Sequence, residues 1–265
     1  HIQYYIIKND ELFDSIVPIL LDKVREGVEV RILCDGMGGR FMPKKRWDQM
    51  RSAGIKVGVF FPPFLGWLNL RVNYRNHRKI VVVDGNTGFV GGFNIGREYI
   101  SRDPRFGYWR DTHLEIKGEA AISLQIRFAL DWNYVTGENL FKEIRYFGEE
   151  AEYARRRLKG QIHAVWPDPD HVNEMVCMQI ITSGPDTREP HIRNNYLELF
   201  HKAKHHIYIQ TPYFIPDDAI FSSLKIAALS GVDVRLMIPC KPDHPFVYWA
   251  TCSYAGELLD YGARV

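Results

Sequence analysis

A histidine, a lysine and an asparagine lie close together between residues 77 and 94, in a pattern suited to attack on a phosphodiester. In an extended segment, residues two apart point to the same face, so His77 and Lys79 can approach one ligand together, and Asn94 follows beyond a turn. A neutral imidazole can attack phosphorus near neutral pH. An ammonium and an amide can stabilise the charge that builds on the phosphoryl oxygens. The combination predicts chemistry on phosphate esters.

The residues that follow the lysine predict a rigid support for this pair. Val81, Val82 and Val83 form a short apolar run that is typical of a buried strand, and Asp84 then opens a turn with glycine and asparagine. A carboxylate before a glycine can also accept hydrogen bonds from turn amides. Asp84 therefore has a structural interpretation beside a chemical one.

The whole pattern resembles the signature of the phospholipase D superfamily. That signature is His-x-Lys, four residues, Asp, six residues, Gly-Gly or Gly-Ser, one residue and Asn, and every fixed position is matched between His77 and Asn94. The wider stretches 73–79 and 91–96 are most similar to bacterial cardiolipin synthases. The resemblance implies two similar halves that each carry one such motif, a phosphohistidine intermediate, and no metal or other cofactor.

An internal repeat indicates the same duplicated architecture. Residues 27–33, Gly-Val-Glu-Val-Arg-Ile-Leu, recur at 231–237 as Gly-Val-Asp-Val-Arg-Leu-Met. Each copy follows an aromatic-rich strand pattern, at 2–7 and at 207–213, and then a helical apolar pattern. Strand, helix and strand make a parallel α/β unit. We therefore predict an α/β fold with a mainly parallel mixed sheet flanked by helices, built as duplicated phospholipase D-like halves.

The repeat predicts three regions along the chain. Residues 1–137 form the first phospholipase D-like domain, residues 138–178 a charged, proline-containing linker or helical connector, and residues 179–265 the start of the second domain. Equal spacing would place a second histidine motif at about position 285. We expect the second half to be incomplete, with its motif supplied by a missing C-terminal part or, alternatively, by a second chain. The fragment alone should then be nearly inactive.

Several further residues are candidates for the site. Asp111 occupies the position at which phospholipase D relatives carry an acid that orients the histidine, and a strand-end acid paired with Arg110 is the alternative. We interpret His113 as structural and Glu98 as a surface acid. The predicted catalytic residues are His77, Lys79, Asp84, Asn94 and Asp111.

The predicted substrate-binding residues lie in both halves of the sequence. Arg75, two positions before the histidine, could add a cation for a phosphate. Ser183, Gly184 and Tyr213 lie in segments that resemble the active-site seam of cardiolipin synthase-like proteins, although Ser-Gly-Pro is also a common turn. The predicted substrate-binding set is Arg75, Gly91, Gly92, Ser183, Gly184 and Tyr213.

The composition is that of a soluble globular protein, with 46% hydrophobic and 25% charged residues among 265. A net charge of +2 is compatible with anionic lipid or nucleic acid without requiring either. The four scattered cysteines indicate neither a disulfide framework nor a zinc site. The aromatic loop at 60–68 suits either acyl chains at a membrane interface or burial in the protein.

The resemblance implies phosphatidyl transfer. His77 would attack the phosphorus of phosphatidylglycerol and expel glycerol, and a second phosphatidylglycerol would then yield cardiolipin. Hydrolysis by the same chemistry, cleavage of nucleic acid, and a non-catalytic membrane-binding role are the alternatives. The expected partners are an anionic phospholipid and the membrane surface, with no nucleic acid. The expected location is the bacterial cytoplasmic membrane, with peripheral attachment or anchors outside this chain.

Overall fold

The computed structural model describes residues 1–62, 74–147, 176–185 and 187–265. The chain divides into two compact units, His1–Ile180 and Ile181–Val265. Each unit has its own buried core.

The first unit begins with the predicted alternation of strands and helices. Asp10 caps the first helix, since its Oδ1 accepts from the backbone N of Leu12 at 3.1 Å and of Phe13 at 3.3 Å. The three strands are parallel, with Gln3 opposite Leu33 and Leu33 opposite Gly58. The elements are β1 (Ile2–Tyr4), α1 (Glu11–Arg25), β2 (Arg31–Asp35), α2 (Lys44–Ser52) and β3 (Lys56–Phe60).

An antiparallel meander completes the sheet of this unit. Its elements are β4 (Ile80–Val83), β5 (Thr87–Gly91), β6 (His113–Lys117) and helix α3 (Glu119–Thr136). The strand order is β3-β2-β1-β4-β5-β6, and β4 pairs antiparallel with both β1 and β5. Four of the six strands described in this unit, β1, β2, β3 and β5, therefore run in the same direction. The predicted mixed, mainly parallel sheet flanked by helices is confirmed.

Helices cover both faces of this sheet. Side chains alternate along β2, so Ile32 and Cys34 pack with α1 and α2, whereas Leu33 packs with Phe128 and Trp132 of α3. A second group on the α3 side joins Ile80 and Val82 of β4 to Ile116 of β6 and Leu124 of α3. Strand β4, which follows Lys79 within the motif, is thus held by a packed core.

The start of the predicted connector packs on the first unit. Arg31, 2% exposed, donates to Glu138 Oε1 at 2.8 Å and to the hydroxyl of Tyr146 at 3.1 Å. Leu140 and Phe147 are buried beside Phe128 of α3. Residues 148–175 lie outside the described residues, so the proposed connector stays a prediction.

The second unit repeats the strand-helix-strand pattern of the first. Strands β7 (His206–Gln210) and β8 (Asp233–Met237) pair in parallel, with helices α4 (His191–Lys202), α5 (Asp218–Leu229) and α6 (Pro245–Leu259). Helices α1 and α5 end alike: Gly27 N donates to Val24 O and Gly231 N to Ala228 O, both at 3.0 Å. These glycines have φ of 89° and 87°. The duplication seen in the sequence is a duplication of local geometry.

The predicted aromatic loop is described only at its beginning, because residues 63–73 lie outside the described ranges. Phe60 and Phe61 pack against Tyr134 of α3, with ring centroids 5.4 Å and 5.9 Å away. No helix in the described ranges has both the length and the apolar content needed to cross a bilayer.

Candidate active site

His77 and Lys79 lie in an extended segment directly before β4. The Lys79 Nζ is 2.8 Å from the His77 Nδ1, and it also donates to the backbone O of His77 at 2.9 Å. Asn76 and Arg78, which alternate with them, bind Asp131 of α3 instead. Neighbouring residues in extended backbone point to opposite faces, so one face is tied to the core and the other presents the histidine and lysine.

Tyr5 forms one wall of this site, and sequence reasoning missed it. Its ring centroid lies 4.6 Å from that of His77, and the Lys79 Nζ lies 5.7 Å from the Tyr5 centroid. The contact arises because β1 pairs antiparallel with β4, with Gln3 opposite Ile80. Residues just after β1 therefore lie beside residues just before β4. The missing information was this pairing between distant strands.

The surroundings of His77 and Lys79 lower the pKa values of both side chains. Burial, and secondly the charge of Lys79, lower the pKa of His77 to about 4. Burial lowers the pKa of Lys79 to about 8, against the opposing effect of the Asp111 carboxylate. Lys79 is only 6% exposed, whereas part of the His77 surface is open to solvent. At neutral pH the site combines an accessible neutral imidazole with a charged ammonium.

Asn94 connects two segments beside the site. Its Oδ1 accepts from the backbone N of Ile6 at 3.0 Å, and its Nδ2 donates to the hydroxyl of Tyr99 at 2.9 Å. The side chain is buried, with 7% exposed. These contacts fix the backbone next to Tyr5. The predicted contact of Asn94 with phosphoryl oxygens stays a prediction.

Asp111 lies near the site but does not hydrogen bond His77 within the described part of the chain. Its Oδ1 accepts from the backbone N of Thr112 at 2.7 Å, and the Trp109 Nε1 lies 3.5 Å from its Oδ2. Its charge acts on Lys79, whose pKa it raises against the effect of burial. The predicted orientation of His77 by Asp111 therefore stays a prediction, and the observed link runs through the ammonium.

The two glycines of the motif permit close packing on this acid. A Cβ at Gly92 would lie 2.0 Å from the Asp111 Oδ1, and one at Gly91 would lie 2.4 Å from the backbone O of Thr112. Any larger residue would push the Asp111 segment away from β5. Their observed role is packing, and their predicted substrate contact stays a prediction.

Asp84 lies outside the site. It is exposed in the turn between β4 and β5, with φ of 52°, and Gly85 follows with φ of 74°. The four-residue strand β4 separates Asp84 from Lys79, a distance of roughly 16 Å in extended backbone. The structure places Asp84 in the turn, at the opposite end of the hairpin from Lys79, and its predicted catalytic role stays a prediction.

The remaining predicted residues have other surroundings. The Arg75 Nη1 lies 3.8 Å from the Oδ1 of Asp35, a fully buried acid. The backbone O of Gly184 accepts from the Thr187 N at 3.2 Å, which is a turn contact. The Tyr213 hydroxyl donates to Asp243. Ser183, Gly184 and Tyr213 all belong to the second unit, so their predicted contact with substrate stays a prediction.

Two acids and a histidine near the motif differ in their burial. Glu98 is 4% exposed and its Oε1 lies 2.5 Å from the Lys8 Nζ, so its interpretation as a surface acid is wrong. His113 is half-buried and stacks on Phe93, and its interpretation as a structural histidine stays a prediction. Asp35 ends β2, and its Oδ2 accepts from the backbone N of Asn76 at 3.0 Å. Sequence reasoning missed Asp35, although an acid at the end of a buried strand could have indicated it.

Comparison with known proteins agrees with this geometry. The family model described as "Cardiolipin synthase, PLD-like domain" matches residues 1–116 and 196–265. The chain belongs to this family. The phospholipase D-like resemblance of the motif is therefore confirmed.

Among the proteins similar to this chain are two cardiolipin synthases. The chain is 48% identical to the major cardiolipin synthase ClsA of Bacillus subtilis strain 168 and 49% identical to the cardiolipin synthase of Staphylococcus aureus strain Mu50. Both alignments include 100% of this chain but only 51% and 50% of the relatives. The chain thus spans about half the length of the curated relatives it matches.

A solved structure supports the fold. The phosphatidylserine synthase of Haemophilus influenzae Rd KW20 superimposes with a TM-score of 0.60. The alignment covers 98% of this chain and 62% of that chain at 17% sequence identity. At this low sequence identity, the similarity supports the fold and nothing further.

Proposed function

We propose that the protein of which this sequence forms a part transfers phosphatidyl groups between phospholipids, and that it makes cardiolipin from two molecules of phosphatidylglycerol. The observation that carries the proposal is the contact between the Lys79 Nζ and the His77 Nδ1, which lie 2.8 Å apart. Both residues belong to the motif, in the part of the chain that the family model matches. A neutral nucleophile beside a buried cation suits attack on an anionic phosphodiester. Relatives named cardiolipin synthase align with the entire chain.

In the first step, a His77 ring nitrogen bonds to phosphorus and the bond from phosphorus to the glycerol oxygen breaks. The departing glycerol takes a proton from a general acid, which the family resemblance assigns to a second histidine motif outside residues 1–265. In the second step, the hydroxyl of another phosphatidylglycerol attacks phosphorus, gives its proton to the same group and displaces His77. The products are cardiolipin and glycerol.

Lys79 has two roles in this proposal. A neutral imidazole has one nitrogen lone pair for attack, and the Lys79 ammonium lies against the ring nitrogens. A phosphodiester offers the ammonium anionic acceptors, which bind it more strongly. Substrate binding would therefore draw Lys79 to the phosphoryl oxygens and free the His77 lone pair.

The substrate also bears on location. Phosphatidylglycerol is a bilayer lipid, so we propose that the protein acts at the bacterial cytoplasmic membrane, attached peripherally or by segments outside this chain. The second motif would come from the rest of the full-length protein, with a second chain as the alternative.

The test uses the full-length protein with vesicles of phosphatidylglycerol and measures cardiolipin, phosphatidic acid and glycerol. We expect cardiolipin and glycerol in equal amounts, with loss of both in His77→Ala. The matched control is His191→Ala, which changes an exposed histidine at the start of α4. Phosphatidic acid in place of cardiolipin would show hydrolysis instead. Unchanged cardiolipin formation by His77→Ala would overturn the proposal.

A further inference from the structure

One buried carboxylate binds the residues on both sides of His77. Asp131 of α3 is 2% exposed, and its Oδ2 accepts from the Asn76 Nδ2 at 2.9 Å and from the Arg78 Nη1 at 3.1 Å. The Gln3 Nε2 also donates to this oxygen, at 2.7 Å, and Arg127 donates to the other. One acid thus collects donors from β1, α3 and the segment that carries the nucleophile.

Asn76 is held on several sides. Its backbone N donates to the Asp35 Oδ2 at 3.0 Å, and its Oδ1 accepts from the Gln3 Nε2 at 2.9 Å. The side-chain amide then donates to Asp131. The residue that precedes His77 is therefore fixed through its backbone and through both ends of its side chain.

We propose that Asp131 is a positioning residue for the transfer reaction, which sets the place of His77 by holding Asn76 and Arg78 against α3. This inference rests on the proposed function. Residues 76 and 78 are drawn to one face, so residues 77 and 79 must present the other. A displacement of about 1 Å at a reacting group can cost about 100-fold in rate, so such an anchor bears directly on catalysis.

The chemistry of the cluster explains why an acid occupies this position. A buried carboxylate is stable only when it is paired and hydrogen bonded, and here two arginines and two amides surround it. Because Asp131 binds Asn76 and Arg78 directly, the position of His77 between them depends on these hydrogen bonds. Sequence reasoning missed Asp131 because it lies 54 residues after His77, on the buried face of a helix.

The test compares Asp131→Asn with the wild type in the full-length protein. We expect kcat for cardiolipin formation to fall about 100-fold with KM changed less than about threefold, since binding groups remain while the nucleophile is misplaced. Histidine NMR, with the His77 signal assigned from its absence in His77→Gln, measures the second effect. The pKa of His77, about 4 in the intact site, should rise toward its ordinary value, because a loosened segment gains water and moves from Lys79.

A matched control separates positioning from general stability. Glu138→Gln removes a carboxylate that also binds an arginine and two further donors, Trp132 and Lys56, but does not contact the motif segment. We expect that variant to keep the kcat and the His77 pKa of the wild type at a temperature where it is folded. Equal losses in both variants would overturn the positioning role.

A second variant keeps the test decisive if Asp131→Asn does not fold. Gln3→Leu removes the donor that bridges Asn76 and Asp131 while the charge of the cluster stays the same, and it should lower kcat about tenfold with the same direction of pKa change. Wild-type kcat and an unchanged His77 pKa in a folded variant would refute the inference. The NMR readout needs no lipid, so it stands even if transfer activity is absent and the proposed function fails.

Discussion

The two units share a strand-helix-strand core, and they differ in what is attached to it. Ile32 of β2 and Leu236 of β8 are 1% and 3% exposed at equivalent positions of the repeat. In the first unit, β4 and α3 then bring His77 and a buried acid to the end of β1. Among the described residues of the second unit, β7 pairs with β8 alone, and no strand lies beside it as β4 lies beside β1.

Two glutamines at equivalent positions of the two units have different surroundings. Gln3 pairs with Leu33 of β2, and Gln210 pairs with Met237, which is the repeat equivalent of Leu33. Gln3 is 1% exposed and donates to Asn76 and Asp131, whereas Gln210 is exposed. The repeated core offers the same side chain in both units. The network around the histidine, and not the core itself, creates the site.

The largest effect is expected where the units differ. Lys79→Met in the full-length protein should lower kcat for cardiolipin formation about 1,000-fold, because it removes a cation that stabilises the charged transition state. Steady-state kinetics with phosphatidylglycerol vesicles measures it. Lys241→Met, an exposed lysine of the second unit, is the control and should leave kcat unchanged. A loss below tenfold in Lys79→Met would contradict the role.

Where the units are alike, substitutions should act alike. Ile32→Ala and Leu236→Ala each remove a nearly fully buried side chain, and each should lower the free energy of unfolding of its unit by about 2–5 kcal/mol. Denaturant titration followed by hydrogen exchange within each unit measures the two values. If one substitution lowered the free energy of unfolding several times more than the other, the two cores would not be equivalent.

The pH dependence sharpens the account of the first unit. His77 must be neutral to attack, and its pKa is lowered to about 4, so kcat/KM should fall only below about pH 4. Lys79 must be charged, and its pKa is lowered to about 8, so kcat/KM should also fall above about pH 8. Lys79→Arg should change the alkaline limb, because arginine stays protonated there and only the proposed general acid then titrates. An alkaline limb identical to that of the wild type would contradict its assignment to Lys79.

The smallest effect is expected at the paired glycines that end α1 and α5. Gly27→Ala and Gly231→Ala meet no atom within 4 Å, so the cost comes from the positive φ alone. Each should lower the free energy of unfolding by about 1 kcal/mol. Thermal or denaturant unfolding checks the pair, and a cost near zero at either glycine would contradict the shared helix ending.

The sequence predicted the parts of the molecule that local patterns encode. The spacing from His77 to Asn94 predicted that His77 and Lys79 lie together, and the repeat at 27–33 and 231–237 predicted the two similar strand-helix-strand units. The contact of Tyr5 with His77 and the anchoring by Asp131 were missed, because each depends on pairing between distant segments. Asp84 was assigned to the site by its place in the motif, although the strand between carries it away.

The most direct test of the central claim is to trap the covalent intermediate. Full-length protein would be denatured near pH 8, where both the bond from phosphorus to imidazole nitrogen and the acyl esters survive, during turnover of phosphatidylglycerol labelled in its phosphate. Mass spectrometry of its peptides would locate the label. We expect a phosphatidyl group on His77, absent from His77→Ala. Turnover that leaves His77 unmodified while another residue carries the label would contradict it.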